Sequence, residues 1–96
     1  METNQITKQH RKAQKISYRK FADAINESLI NTNVNYSTVY RWEAETDHYE
    51  PDMQLLFECI ATYSDWRAKW AIENVIAMWP DLIDRGVVTF KLPQTQ

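Results

Sequence analysis

The residues able to do chemistry are few, and their types limit what that chemistry could be. There is one cysteine, Cys59, and there are two histidines, His10 and His48, in a chain of 96 residues. A structural zinc site needs four nitrogen or sulfur ligands at close spacing, and these three residues stand far apart without such partners. One cysteine also precludes an intrachain disulfide. Cys59 falls in an apolar stripe and reads as core, and both histidines read as surface residues. No Ser/His/Asp or Cys/His arrangement can be defended, so no catalytic residue is assigned and the chain does not read as an enzyme. The single glycine, Gly86, excludes a glycine-rich phosphate loop, which needs several residues free of Cβ. No cofactor and no small-molecule substrate are implied.

What remains is charge and aromatic side chains at helical spacing. From Lys8 to Lys20 there are six bases, Lys8, Arg11, Lys12, Lys15, Arg19 and Lys20, and no acid. The net charge is −2, but it is unevenly divided. Residues 1–46 hold seven bases against five acids, and residues 47–96 hold four against eight. A like-charged cluster repels itself. It is either a solvated face or a surface for a polyanion, where each Lys or Arg gains by releasing condensed counterions. Farther on, Tyr36, Ser37, Tyr40 and Arg41 fall away from the face that Val39 and Trp42 define.

These groups need elements to hold them, and the pattern is helical almost throughout. Apolar residues make up 44% and charged residues 25%, ordinary values for one globular domain. Residues 5–15 read as a polar first helix with Ile6, Ala13 and Ile16 as sparse apolar marks. Ser17 reads as the N-cap of a second helix over 18–26, with Phe21, Ala22, Ile25 and Leu29 in one stripe. Residues 30–35 are rich in asparagine and read as loop. Asn35 is the next N-cap, and residues 36–45 form a third helix. Pro51 is placed at the first position of a fourth helix running to about Tyr63, which buries Leu55, Leu56, Cys59 and Ile60. Ser64 caps a fifth helix over 65–79. Pro80 opens a short turn to Arg85, closed by Gly86. Residues 87–92 alternate, with Val88, Phe90 and Leu92 on one face, which is a strand signature.

Two segments, 17–25 and 34–43, together resemble the phage-repressor and Cro-like helix-turn-helix family, also called the XRE family. The residues that carry the likeness are Phe21-Ala22, Ile25, Val34, Val39, Trp42 and Glu43, with Pro51 and the Leu55/Leu56/Ile60 helix after them. The likeness covers roughly residues 5–63. It implies an all-α repressor-like domain; with the long C-terminal helix and short C-terminal β-strand read from the residues after 63, the expected fold is a five-helix helix-turn-helix domain. It implies base reading by Asn35, Tyr36, Ser37, Tyr40 and Arg41. Phosphate contacts would come from Ser17 and Tyr18, with Lys12, Lys15, Arg19 and Lys20 nearby. It also implies a structural ion pair between Arg11 and Glu43. Two features differ from the family pattern. The turn is about seven residues longer, over 27–33, so either the second helix extends through Leu29 or a loop projects beside the DNA. The segment after Trp42 carries Glu43, Glu45, Asp47 and Glu50, which a phosphate backbone would repel.

The C-terminal third adds a separate signal. In the fifth helix apolar residues cover more than one face, and strand 87–92 has no evident mate. A two-fold partner would cover Trp66, Trp70 and Trp79 and pair Val88, Phe90 and Leu92 with their copies. The alternative is that the fifth helix is simply the central core helix. The expected organisation is a DNA-binding region over 1–63 and a dimerising element over 64–96, within one compact unit. No apolar leader follows Met1 and no window reaches the ~18 apolar residues of a membrane span. The expectation is a cytoplasmic, homodimeric, sequence-specific transcriptional regulator of bacterial or phage type, binding an inverted repeat in double-stranded DNA as a repressor. The rival is a protein-interaction adaptor or antirepressor that keeps the fold without binding DNA.

Overall fold

The computed structural model describes residues 2–45 and 49–84. Among them lie six helices and no strand: α1 Thr3–Ala13, α2 Tyr18–Asn26, α3 Tyr36–Glu43, α4 Met53–Thr62, α5 Trp66–Met78 and α6 Pro80–Asp84. Residues 87–92, with Val88, Phe90 and Leu92, lie outside the described residues, as do Asp47 and His48. No helix among the described residues is long and apolar enough to cross a membrane.

Local chemistry sets most helix starts. Ser17 Oγ accepts from the Lys20 N–H at 3.2 Å and opens α2. Asn35 Oδ1 accepts from the Thr38 N–H at 3.0 Å and opens α3. Two caps differ from the expectation. Asp52, not a proline-led first turn, opens α4 by accepting from the Leu55 N–H at 2.8 Å, and Pro51 is buried ahead of it. Asp65, not Ser64, opens α5 by accepting from the Arg67 N–H at 3.0 Å. In both, a carboxylate is the stronger acceptor for donors at the positive helix end. α1 begins two residues earlier than expected and turns Thr7 inward while Ala13 stays exposed.

α5 is the central helix. It packs on α4 and on α1, and its rings meet α2 and α3. Trp70 is 0% exposed, its ring 5.6 Å from both Phe21 and Trp42, and its Nε1–H donates to the Thr7 hydroxyl at 3.0 Å. This corrects the expectation that Trp70 faces a second copy. Trp70 is covered by the chain's own helices and has no surface left to offer, while Ile76, farther along α5, is 45% exposed. Trp66 and Trp79 are half-buried and pack against the same core. Trp66 also stacks beside His10 at 6.3 Å and tilts on Phe21 at 5.2 Å. His10 is accordingly no free surface residue: its Nε2 lies 2.7 Å from Glu73 Oε1, bridging α1 and α5.

The long connection between α2 and α3 is a tethered loop, and α2 stops at Asn26. Asn26 acts there like a strand neighbour. Its Oδ1 accepts from the Val34 N–H at 2.7 Å, and its Nδ2 donates to the Val34 carbonyl at 2.6 Å. Tyr63 holds the other side. Its hydroxyl donates to the Ile25 carbonyl at 2.6 Å and accepts from the Ser28 N–H at 3.0 Å. Arg67 reaches the same helix end, donating to the Ala24 carbonyl at 2.9 Å and to Glu27 at 2.6 Å. Its bond to Asp65 holds that carboxyl below the usual carboxylate range. Thr32 donates to Glu58 at 2.8 Å. These partners satisfy carbonyls that a helix C-terminus leaves open.

Candidate nucleic-acid interface

α2 and α3 pack through Phe21, Ala22 and Ile25 on one side and Val39 and Trp42 on the other, all buried. Ala22 has the smallest side chain of these, which lets the two axes come close. With that face committed to the core, the opposite face of α3 is left outside. Asn35, Tyr36, Ser37, Tyr40 and Arg41 are all exposed, with Tyr36 at 50% and Tyr40 at 56%.

The rings on that face are supported from α2. Arg19 lies over the Tyr36 ring, its guanidinium carbon 4.6 Å from the centroid. Tyr18 meets Tyr40 edge-on at 5.5 Å. Arg11 in turn lies 4.4 Å from the Tyr18 centroid. Arg11 is anchored below by Glu43: its Nε donates to Oε2 at 2.6 Å and its Nη2 to Oε1 at 3.1 Å. A planar guanidinium fork on a carboxylate is the strong form of ion pair. The Glu43 side chain is nearly enclosed, and the hydrogen bond to it raises the Arg11 pKa further above its ordinary value. Arg11 therefore stays charged and stays paired, and Glu43 is compensated. Tyr18, expected as a phosphate contact, is half-buried as the link between Arg11 and Tyr40.

Arg41 lies over the ring of Tyr49, 4.1 Å from its centroid. Tyr49 was not singled out from the sequence, and its place in an acidic connector gave no signal of this contact. Ser17, Lys12, Lys15, Arg19 and Lys20 are all exposed at the end of α1, in the following turn and in the first turn of α2. That helix start adds unpaired N–H groups and a positive dipole end. The structure thus brings Tyr18, Arg19, Tyr36 and Tyr40 into one contiguous group. Beyond α3, Glu45, Glu50 and Asp52 are exposed.

Cys59 is enclosed in the core, where burial, with Glu58 adding, pushes its thiol up to about 12. A neutral, enclosed thiol is a packing residue and not a nucleophile.

Comparison with protein-family models, with curated proteins and with solved structures gives no match.

Proposed function

We propose that the chain is a sequence-specific DNA-binding transcriptional regulator of the helix-turn-helix type, with α2 and α3 as its two helices and α3 as the reading helix. The observation that carries this reading is the outer face of α3. It holds Tyr36, Ser37, Tyr40 and Arg41 exposed beside a rim of exposed Lys12, Lys15, Arg19 and Lys20. A helix with such a face fits a major groove ~12 Å wide, and exposed bases beside it suit contacts to phosphates. Arg41 is the base reader best suited to guanine, whose O6 and N7 match a guanidinium fork. The chain acts in the cytoplasm as a homodimer on an inverted repeat, and operator occupancy excludes polymerase. In this reading residues 87–92 and the exposed edges of Trp66 and Trp79 contribute to the two-fold contact.

The test is selection from a random duplex library at two salt concentrations. An enriched sequence is expected, with affinity falling as salt rises. Arg41→Ala is expected to lose about 5- to 150-fold in discrimination at one base pair, the range for a bidentate contact of ~1–3 kcal/mol. No enriched sequence and no salt dependence would remove the proposal.

The second reading is an adaptor or antirepressor. It is favoured by the exposed acids Glu45, Glu50 and Asp52 and by Ile30, which is 92% exposed on a tethered loop. An adaptor would keep its partner binding in the Arg41→Ala variant.

A further inference from the structure

The side-chain hydroxyl donors of Ser37 and Thr38 in the first turn of α3 are already engaged. Asn35 Oδ1 accepts from the Thr38 N–H at 3.0 Å, from the Thr38 hydroxyl at 3.1 Å and from the Ser37 hydroxyl. The cap therefore engages the hydroxyl donors of both Ser37 and Thr38 within the protein. What the face offers outward at this end is aromatic surface, the half-exposed rings of Tyr36 and Tyr40.

Those rings are held in place before any ligand arrives. Tyr36 lies under the Arg19 guanidinium at 4.6 Å. Tyr40 rests on the edge of Tyr18 at 5.5 Å. Fixing a side chain in advance removes an ordering cost at binding. A fixed apolar surface in a major groove has one apolar feature to meet, the C5-methyl group of thymine. Every other base edge there presents hydrogen-bonding groups.

Resting on the DNA-binding reading above, we infer that Tyr36 and Tyr40 are specificity-determining residues that read 5-methyl groups of pyrimidines. The two rings stand four residues apart on one helix face. At 1.5 Å per residue their positions differ by ~6 Å along the helix axis, at most about two base-pair steps of 3.4 Å once the helix lies inclined in the groove. Each half of the binding site then carries two methyl-bearing pyrimidines within about two base pairs of each other. Arg41 adds guanine recognition one residue farther along α3.

The experiment exchanges thymine for uracil in the enriched duplex, one position at a time and then together. The exchange removes only the methyl group and leaves base pairing intact. Wild-type affinity is expected to fall about fourfold for each methyl that a ring covers, at two positions within about two base pairs of each other. Tyr36→Phe and Tyr40→Phe are expected to keep this dependence, because the ring and not the hydroxyl supplies it. The Tyr36→Ala/Tyr40→Ala double variant is expected to bind the two duplexes alike, with its helical circular dichroism unchanged. An enriched duplex that wild type binds equally with thymine or uracil overturns this inference alone. Methyl dependence that survives in the double variant also overturns it. If no duplex is enriched, the DNA-binding reading falls and takes this inference with it.

Discussion

Lys15 has the backbone of a residue that is usually glycine, with φ at 58°. It stands just past the end of α1, where the Lys15 N–H bonds the Lys12 carbonyl at 3.0 Å and the Ile16 N–H bonds the Arg11 carbonyl at 3.3 Å. This is the double bond pattern of a Schellman ending, whose left-handed residue normally lacks a Cβ. A lysine there costs ~1–2 kcal/mol of local strain. Lys15 is also part of the proposed phosphate rim. Both roles are tested by one substitution. Lys15→Gly is expected to stabilise the fold by about 1 kcal/mol, raising Tm by roughly 4–8 °C. The same variant is expected to flatten the salt dependence of DNA binding by about 0.9 in the log–log slope, the loss of one phosphate contact. An unchanged Tm would contradict the strain, and an unchanged slope would contradict the phosphate role.

The pair of helices that presents the candidate surface depends on a loop that is longer than a tight turn yet tied at several points. Tyr63 is the clearest tie, since one hydroxyl serves both the last turn of α2 and the start of the loop. Tyr63→Phe removes both bonds and leaves a buried carbonyl without its partner. The expected cost is ~1–3 kcal/mol in urea unfolding, with faster amide exchange over residues 27–34 than elsewhere. Equal exchange across the chain would show that the loop is held by other contacts. The elements with local signals were legible in the sequence. α2 begins where its Ser17 cap indicates, though it stops at Asn26, short of Leu29 in its apolar stripe, and α3 opens at its Asn35 cap because an asparagine side chain acts within three residues. The loop ties were not legible. Asn26 imitates a backbone partner for Val34, and Tyr63 acts across more than thirty residues. The place of Trp70 was not legible for a related reason. Apolar residues around a helix do not say what covers them, and here Trp70 meets Thr7 of α1, Phe21 of α2 and Trp42 of α3. His10 likewise gave no sign in the sequence that Glu73 and Trp66 would draw it in. On the candidate surface, the exposure of Tyr36, Tyr40 and Arg41 followed from the Val39/Trp42 face. The support from Tyr18, Arg19 and Tyr49 came only with packing.

At the scale of the whole molecule, a formal charge of −2 conceals two sides of different character. Lys12, Lys15, Arg19 and Lys20 are exposed, Arg19 lies against Tyr36 of α3, and the acid of α3, Glu43, is paired with Arg11. A net acidic chain can therefore carry a locally cationic surface, which the proposed DNA binding requires. Its dimensions are 35 × 29 × 28 Å, and in the proposed dimer two copies set side by side along the longest axis would be spaced by one DNA turn of ~34 Å. The central claim is that the outer side of α3 and the start of α2 are where the duplex lies. Amide chemical-shift mapping, with the enriched duplex titrated into the labelled chain, tests this most directly. The expected result is shift changes concentrated at residues 17–20 and 35–41, with α4 and α5 little affected. Changes confined to α5 or to loop 27–33, or no changes at stoichiometric duplex, would contradict it.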